Sequence, residues 1–139
     1  MYSITNRKKP MSVLNSVSTF IQSVLSVEVI EAGKSSYNPA SKTIKISHAE
    51  CSQLANTLEL EVNEVVAIAL LHEAGHSQQP LRLIKDYSIN PLPAEEDAWD
   101  RAERLWLVIF GVKPSQAFYR VKSNSLNAYY SQATSLVWS

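Results

Sequence analysis

The sequence predicts a mostly helical α+β domain, and three observations support this class. Apolar residues over much of the chain recur at steps of three and four, which is typical of helices packed on one face. Residues 43–47 instead alternate and contain β-branched side chains, as a half-buried strand does. The 139 residues, 45% apolar and 19% charged, suit one globular domain with its own core. We therefore expect a single domain over residues 1–139.

The N-terminal part is expected to hold one helix, after a flexible segment at residues 1–10. Residues 27–30 either extend that helix or form a short strand. Residues 33–41, which contain glycine, serine, asparagine and proline, predict a turn before the strand at 43–47. The helix is indicated by apolar residues at helical spacing, namely Val13, Leu14, Val17, Phe20, Ile21, Val24 and Leu25.

Two helices are expected in the middle of the chain. The first covers about residues 49–58, with Ser47 as its N-cap. The second begins at Asn63 as a cap, and Glu64 in its first turn suits the helix dipole. It ends before Pro80, which cannot continue a helix. This second helix is apolar on most sides and is therefore expected to be central, through Val65, Val66, Ile68, Ala69, Leu70 and Leu71.

The C-terminal part predicts two further helices. Residues 84–92 have no clear period and are expected to connect. Pro93 suits the first turn of a helix that continues to about residue 110 and stops at Gly111. Residues 113–139 form a C-terminal extension, predicted to be one helix from residue 116 to 137 or a helix followed by a tail.

Charge and cysteine content exclude several classes of partner. Thirteen basic and thirteen acidic residues cancel, so electrostatics give no reason to expect binding to nucleic acid or to an anionic membrane. The single Cys51 cannot form an internal disulfide, and we expect a structural thiol. Residues 11–29 are too polar for a signal peptide or a membrane span. These features predict a cytoplasmic protein, and they leave its oligomeric state open.

The pentapeptide His72-Glu73-Ala74-Gly75-His76 is the most specific chemical feature of the chain. It reads H-E-x-x-H within a predicted helix, where positions i and i+4 lie on the same face. Both imidazoles can then reach one zinc ion, and the adjacent glutamate can act as general base towards a metal-bound water. The alternative is a buried helix whose histidines are ordinary core residues.

A catalytic zinc site usually has three protein ligands and a water, so a third ligand is needed. The extended three-histidine pattern is absent, because the relevant positions hold Gln79 and Arg82. His48 lies upstream, at the end of the predicted strand. A carboxylate on a later helix is the better candidate.

Glu95, Glu96 and Asp97 stand together at the start of such a helix. Acids are favoured there by the helix dipole in any case. Glu96 shares a mostly solvated face with Trp99, Asp100 and Glu103, and Asp100 could orient a ligand histidine. Glu95 is our predicted third ligand, because a buried acid requires a partner or a metal. It heads the apolar stripe that continues with Ala98, Ala102, Leu105, Trp106 and Ile109.

Residues 37–110 resemble the gluzincin-type zinc metallopeptidases, most of all the ImmA/IrrE-like minimal group. The similar parts are the strand at 43–47, the H-E-x-x-H motif, and a downstream E-x-x-A-N/D-x-x-A pattern that falls on Glu95, Ala98 and Ala102. The resemblance implies a small zincin-like domain, in which a short sheet lies beside the H-E-x-x-H helix and a glutamate-bearing helix follows. Trp99 departs from the pattern, which leaves Asp100 as a possible partner for a ligand histidine.

The predicted activity is that of a zinc-dependent endopeptidase. One Zn²⁺ would be held by His72, His76 and Glu95, and Glu73 would take a proton from the activated water and deliver it to the leaving amine. The substrate would be a protein or peptide. The resemblance implies that residues 43–47 are an edge strand that pairs with it. A donor to the oxyanion is expected among Tyr119, Arg120, Tyr129, Tyr130 and His48.

Two other functions remain open from the sequence. The chain could be a non-catalytic module that uses zinc structurally or binds a partner, although retention of Glu73 argues against this. It could also be a protease of a mobile element that cleaves one regulator only, a reading based on family analogy. That protease could be latent, with the residues after Lys113 covering its cleft.

Overall fold

The computed structural model describes residues 12–138, with side chains as far as residue 131. The predicted flexibility of residues 1–10 concerns a segment outside this part. The described residues form six helices and a three-stranded sheet, which confirms a mostly helical α+β fold. In chain order the elements are α1 (Val13–Ser23), β1 (Glu28–Glu31), β2 (Ser36–Asn38), β3 (Thr43–Ile46), α2 (His48–Leu58), α3 (Val62–Ser77), α4 (Leu81–Ile84), α5 (Leu92–Phe110) and α6 (Gln116–Trp138).

The sheet has the order β1-β3-β2. β3 lies in the centre, parallel to β1 and antiparallel to β2. The strand predicted at 43–47 is therefore confirmed, but its expected position at an edge is wrong. The prediction of only a turn over residues 33–41 is also wrong, because Ser36–Asn38 pairs with β3, with Tyr37 opposite Ile44. A strand of three residues is too short to show an alternating pattern in the sequence.

The central helix is α3, as the sequence predicts. It packs against α1, α2, α5, α6 and the sheet. Its N-cap is Glu61 rather than Asn63, because the Glu61 carboxylate accepts hydrogen bonds from the backbone N–H groups of Asn63 and Glu64. The helix accordingly begins at Val62. The other predicted cap is confirmed, since the Ser47 hydroxyl accepts from the Glu50 N–H at the start of α2.

The close approach of α3 to α5 depends on small residues at their crossing. Ala94, Ala98 and Ala102 on α5 are all buried. Ala98 faces Gly75 on α3, where a Cβ atom would collide with the Ala98 carbonyl oxygen. Because that oxygen is backbone, the two helices would have to separate to admit a larger residue. Gly75 therefore sets the distance between the helix of the two histidines and the helix of Glu95.

Gly75→Ala should destabilise the fold by about 3 kcal/mol or more, since overpacking here forces a backbone shift. In a helix free of such contact the same change would stabilise by roughly 0.5–1 kcal/mol, so the sign itself is informative. Urea denaturation followed by circular dichroism measures the effect. The matched control is Gly33→Ala, where an added Cβ has no neighbour within 4 Å. A neutral or stabilising Gly75→Ala would contradict the observed packing.

The C-terminal helix α6 is an integral part of the core. Phe118, Val121 and Leu126 are buried, and the ring of Phe118 meets the rings of Trp99 and Trp106 edge to face. The extension predicted from the sequence thus packs as a structural element of the domain.

The predicted structural thiol and the expected lack of a membrane span agree with the structure. Cys51 is a buried free thiol. Burial and the nearby Glu50 and Glu31 charges raise its pKa to about 11, as expected for an unreactive packing residue. Every helix in the described part of the chain is too short or too polar to cross a membrane.

Candidate metal centre

The two histidines of the motif lie one turn apart on α3 and face α5. Their ring centroids are 4.7 Å apart, and their side chains are 15% and 13% exposed. Glu95, in the first turn of α5, is 1% exposed and lies directly opposite them. The sequence places these groups 19 to 23 positions apart, and the α3–α5 crossing at Gly75 brings them together.

The Glu95 carboxylate spans the two imidazoles. Its Oε1 lies 2.9 Å from Nε2 of His72, and its Oε2 lies 3.0 Å from Nε2 of His76. Nitrogen and oxygen ligands of a tetrahedral zinc ion lie about 3.3 Å apart, given metal–ligand bonds of about 2.0–2.1 Å. The two measured nitrogen–oxygen separations are therefore within a few tenths of an ångström of that value. Two imidazoles and a carboxylate are also a donor set that zinc prefers in catalytic sites.

The histidines and the carboxylates of the site stabilise each other's charged forms. Burial by itself lowers the pKa of His72, but hydrogen bonds and charge attraction from Glu73 and Glu95 outweigh it and raise the pKa to about 9. Burial tends to raise the pKa of Glu95, but hydrogen bonds from His72 and His76 hold it well below its usual range. Glu95 is thus an ionised carboxylate in an almost fully buried position.

Glu73 lies beside this group but on a different side of it. It is 7% exposed, and its Oε2 is 3.5 Å from Nδ1 of His72. By distance alone it is also a possible ligand, because its carboxylate lies within 4.8 Å of ligand atoms of both histidines. The Nε2 atoms of both rings, however, face Glu95. The geometry therefore favours Glu95 as the ligand and leaves the Glu73 carboxylate free in the cleft.

The alternative ligand Glu96 is turned away from the histidines. Its side chain is exposed, and its Oε2 accepts a hydrogen bond of 2.7 Å from the Tyr130 hydroxyl. Asp100 is exposed as well, and among the described contacts only its backbone carbonyl is engaged, by Arg104. The suggested role of Asp100 as partner of a ligand histidine therefore finds no support.

Trp99 orients His72 by a contact that the sequence did not indicate. Its ring stacks on the His72 imidazole, with centroids 4.5 Å apart and planes inclined by 11°. Trp99 is 1% exposed, so the predicted solvated face of Glu96, Trp99 and Asp100 is wrong at this position. A flat buried ring limits the rotation of His72 and helps to keep its Nε2 towards Glu95.

The site opens into a cleft of about 360 Å³. Of the five predicted oxyanion donors, only Tyr129 lines it. Tyr119 donates to Glu103 and Tyr130 to Glu96, while His48 pairs with Ser52 and Arg120 is exposed. The residues that line the cleft are Ser35, Ser36, Tyr37, Pro39, His72, Glu73, His76, Ile84, Tyr87, Glu95 and Tyr129.

Tyr87 is a second tyrosine of the cleft, and it was not predicted. Its hydroxyl donates to Oε2 of Glu95 and lies 3.3 Å from the Tyr129 hydroxyl. Burial and the Glu95 hydrogen bond raise its pKa, so it remains a neutral donor. It belongs to the segment after α4, which has no periodic pattern in the sequence that could link Tyr87 to the motif.

Comparison with known proteins adds no assignment to this geometry. No family model, no curated protein and no solved structure matches the chain. The resemblance over residues 37–110 therefore stays a prediction.

Zinc should stabilise the protein more at about pH 8 than at about pH 6. In the absence of metal, protonated His72 favours the folded state below about pH 6.5, and this contribution is lost as the pH rises through its raised pKa of about 9. Zinc binds only the unprotonated imidazole, so its affinity should rise by up to about tenfold per pH unit over this interval. Thermal melts with excess chelator or excess zinc measure the difference.

Magnesium, which prefers oxygen ligands, is the matched control for this pH series and should leave the melting temperature unchanged. A zinc-induced shift that is independent of pH, or that shrinks towards about pH 8, would contradict a site made of imidazole ligands.

Proposed function

We propose that this protein is a zinc-dependent endopeptidase with a zincin-like domain. The observation that carries the proposal is the convergence of both Nε2 atoms of the H-E-x-x-H histidines on the buried Glu95 carboxylate, with Glu73 beside them in an open cleft. A site that only held a structural metal would be closed by a fourth side chain, whereas three ligands at a cleft leave a position for water.

His72, His76 and Glu95 would hold the metal. Bound there, a zinc ion acidifies a water molecule and polarises the carbonyl of the bond to be cut. Glu73 holds the proton that the water gives up, at its carboxylate, and passes it to the leaving amine. Its burial next to His72 keeps that carboxylate at a fixed position in the cleft.

The Tyr129 hydroxyl is the donor we assign to the oxyanion that develops on the substrate. Tyr129 lines the cleft, and it is the one residue among the predicted donors that does so. Tyr87 is less suited to this task because its hydroxyl already donates to Glu95, the proposed ligand. The contact between the two hydroxyls holds Tyr129 near the site.

β2 supplies a surface for an extended protein or peptide substrate. Within residues 12–138 it pairs with β3 on one side only, and Ser36 and Tyr37 line the cleft. A peptide that adds to this edge would form backbone hydrogen bonds along it, which favours chain recognition without strict sequence demands. The balanced charge and the lone buried thiol favour a cytoplasmic location.

The non-catalytic alternative is less well supported, because it gives no reason for a buried carboxylate at position 73. Latency through a removable C-terminal cover is also disfavoured. α6 contributes Phe118, Val121 and Leu126 to the core, so its removal would expose apolar surface instead of uncovering a finished site. A protease restricted to one regulator remains compatible with the cleft.

The test uses purified protein, its metal content and a broad substrate set. Elemental analysis is expected to find one zinc per chain. Incubation with a library of peptides derived from a whole proteome, read by mass spectrometry, should reveal cleavage that stops with a chelator and returns with zinc. Absence of stoichiometric zinc would overturn the proposal. One bound zinc without any cleavage in the library or in mixtures of full-length proteins would favour the non-catalytic module.

A further inference from the structure

Gln79 connects the second histidine of the motif to the helix that carries Glu95. Its side-chain Oε1 lies 2.8 Å from Nδ1 of His76. Its Nε2 donates to the Ala94 carbonyl at 2.7 Å and to Oδ2 of Asp97 at 3.0 Å. The side-chain amide thus has three partners on two elements of the site.

These partners determine which way the amide is oriented. The Ala94 carbonyl and the Asp97 carboxylate can only accept hydrogen bonds, so the NH₂ group of Gln79 must face them. Asp97 is held ionised because Arg101, with Gln79, outweighs the effect of burial and lowers its pKa. The amide oxygen is then left for His76. An oxygen acceptor at 2.8 Å requires that Nδ1 of His76 carries a hydrogen.

Because Nδ1 keeps its hydrogen on Gln79, the hydrogen that Nε2 shares with Glu95 in the metal-free site is the one a metal would replace, and the lone pair for the metal is on Nε2. The contact therefore selects the tautomer that a metal at this place needs. It also fixes the plane of the ring, since Gln79 is anchored to α5 through Ala94 and Asp97.

We propose that Gln79 is a positioning residue for the metal centre, which orients His76 and reserves its Nε2 for zinc. This inference rests on the proposed function, because it concerns the same site. Gln79 stands where the extended motif would have a third histidine, and it acts on the site through His76 instead. The Gln79 amide oxygen accepts the ring N–H of His76, as a carboxylate or backbone carbonyl often does for a zinc-bound histidine.

The experiment compares Gln79→Met with Gln78→Met. Methionine keeps the length of the side chain and removes both hydrogen-bonding atoms, and Gln78 is the exposed neighbour at the C-cap of α3. Competition titration with a zinc-binding dye should show affinity lower by roughly 10- to 100-fold in Gln79→Met and unchanged in Gln78→Met. Thermal melts should show that both metal-free variants are folded at the temperature of the titration, which separates loss of orientation from loss of fold.

Nuclear magnetic resonance of the zinc-loaded wild type supplies a readout that a purely structural role would not affect. The Nδ1 proton of His76, held by an acceptor, should exchange slowly and give a ring N–H signal, and Gln79→Met should lose it. Absence of that signal in wild type would overturn the inference even if the variants failed to fold. If the wild type and Gln79→Met bind zinc with equal affinity, the inference about Gln79 is overturned and the proposed function is not. If the wild type does not bind zinc, both are overturned.

Discussion

Replacing Glu73 with glutamine is expected to reduce peptide hydrolysis by roughly 10²- to 10⁴-fold while zinc content stays at the wild-type level. Glutamine has the same shape and can occupy the same buried position, but its amide cannot take up a proton at neutral pH. Glu73 approaches His72 at Nδ1 and not at the Nε2 that faces Glu95, so its loss should not remove a ligand. The substitution therefore separates proton transfer from metal binding.

The measurement pairs kcat/KM on a substrate found in the peptide library with elemental analysis of the same preparation. Glu96→Gln is the matched control, because this carboxylate is exposed and bonded only to the Tyr130 hydroxyl among the described residues. Full activity in Glu73→Gln would exclude the assignment of Glu73 as general base. Loss of zinc together with activity would show that Glu73 is a ligand.

Replacing Glu95 with glutamine is expected to weaken zinc binding by more than about 100-fold, beyond the effect typical of residues that only support a ligand. A neutral amide oxygen is a poor ligand, and its NH₂ group would face an imidazole that must present a lone pair. The change also removes the only negative charge placed between both Nε2 atoms in the described structure. Activity should fall with the metal content.

The zinc dissociation constants of Glu95→Gln and Glu96→Gln decide this prediction. The two residues are neighbours on α5 with the same chemistry, but Glu95 is 1% exposed and Glu96 is exposed. Glu96→Gln should bind zinc as the wild type does. A larger loss in Glu96→Gln than in Glu95→Gln would mean that the wrong face of the helix had been assigned to the metal.

Helical periodicity predicted correctly that Glu95 is buried, but it did not predict the burial of every residue of α5. Its membership of the stripe with Ala98 and Ala102 predicted burial, and the structure places all three inside the domain. The same method failed for Trp99, because it assigned the residue to the polar face of its neighbours. α5 packs against both α3 and α6, so it buries residues on more than one face. The sequence of α5 alone does not indicate on which side α6 packs.

Short and irregular segments were beyond prediction for a different reason. β2 exists because three residues pair with β3, and a pairing of that length leaves no period in the sequence. Tyr87 and Gln79 lie outside the long helices, so no spacing rule links them to the histidines. Their roles follow from contacts with Glu95 and His76 that only the folded chain creates.

The mostly helical α+β class, the central helix and the spacing of His72, Glu73 and His76 on that helix could all be predicted from the sequence. These properties are local, since they follow from residue type and from a period of 3.6 residues. Only the folded chain shows that β2 forms the edge at the cleft and that Trp99 and Gln79 hold the two rings, and it brings the predicted Glu95 to the histidines. These contacts join residues from different elements, and those between α3 and α5 depend on the close packing at Gly75.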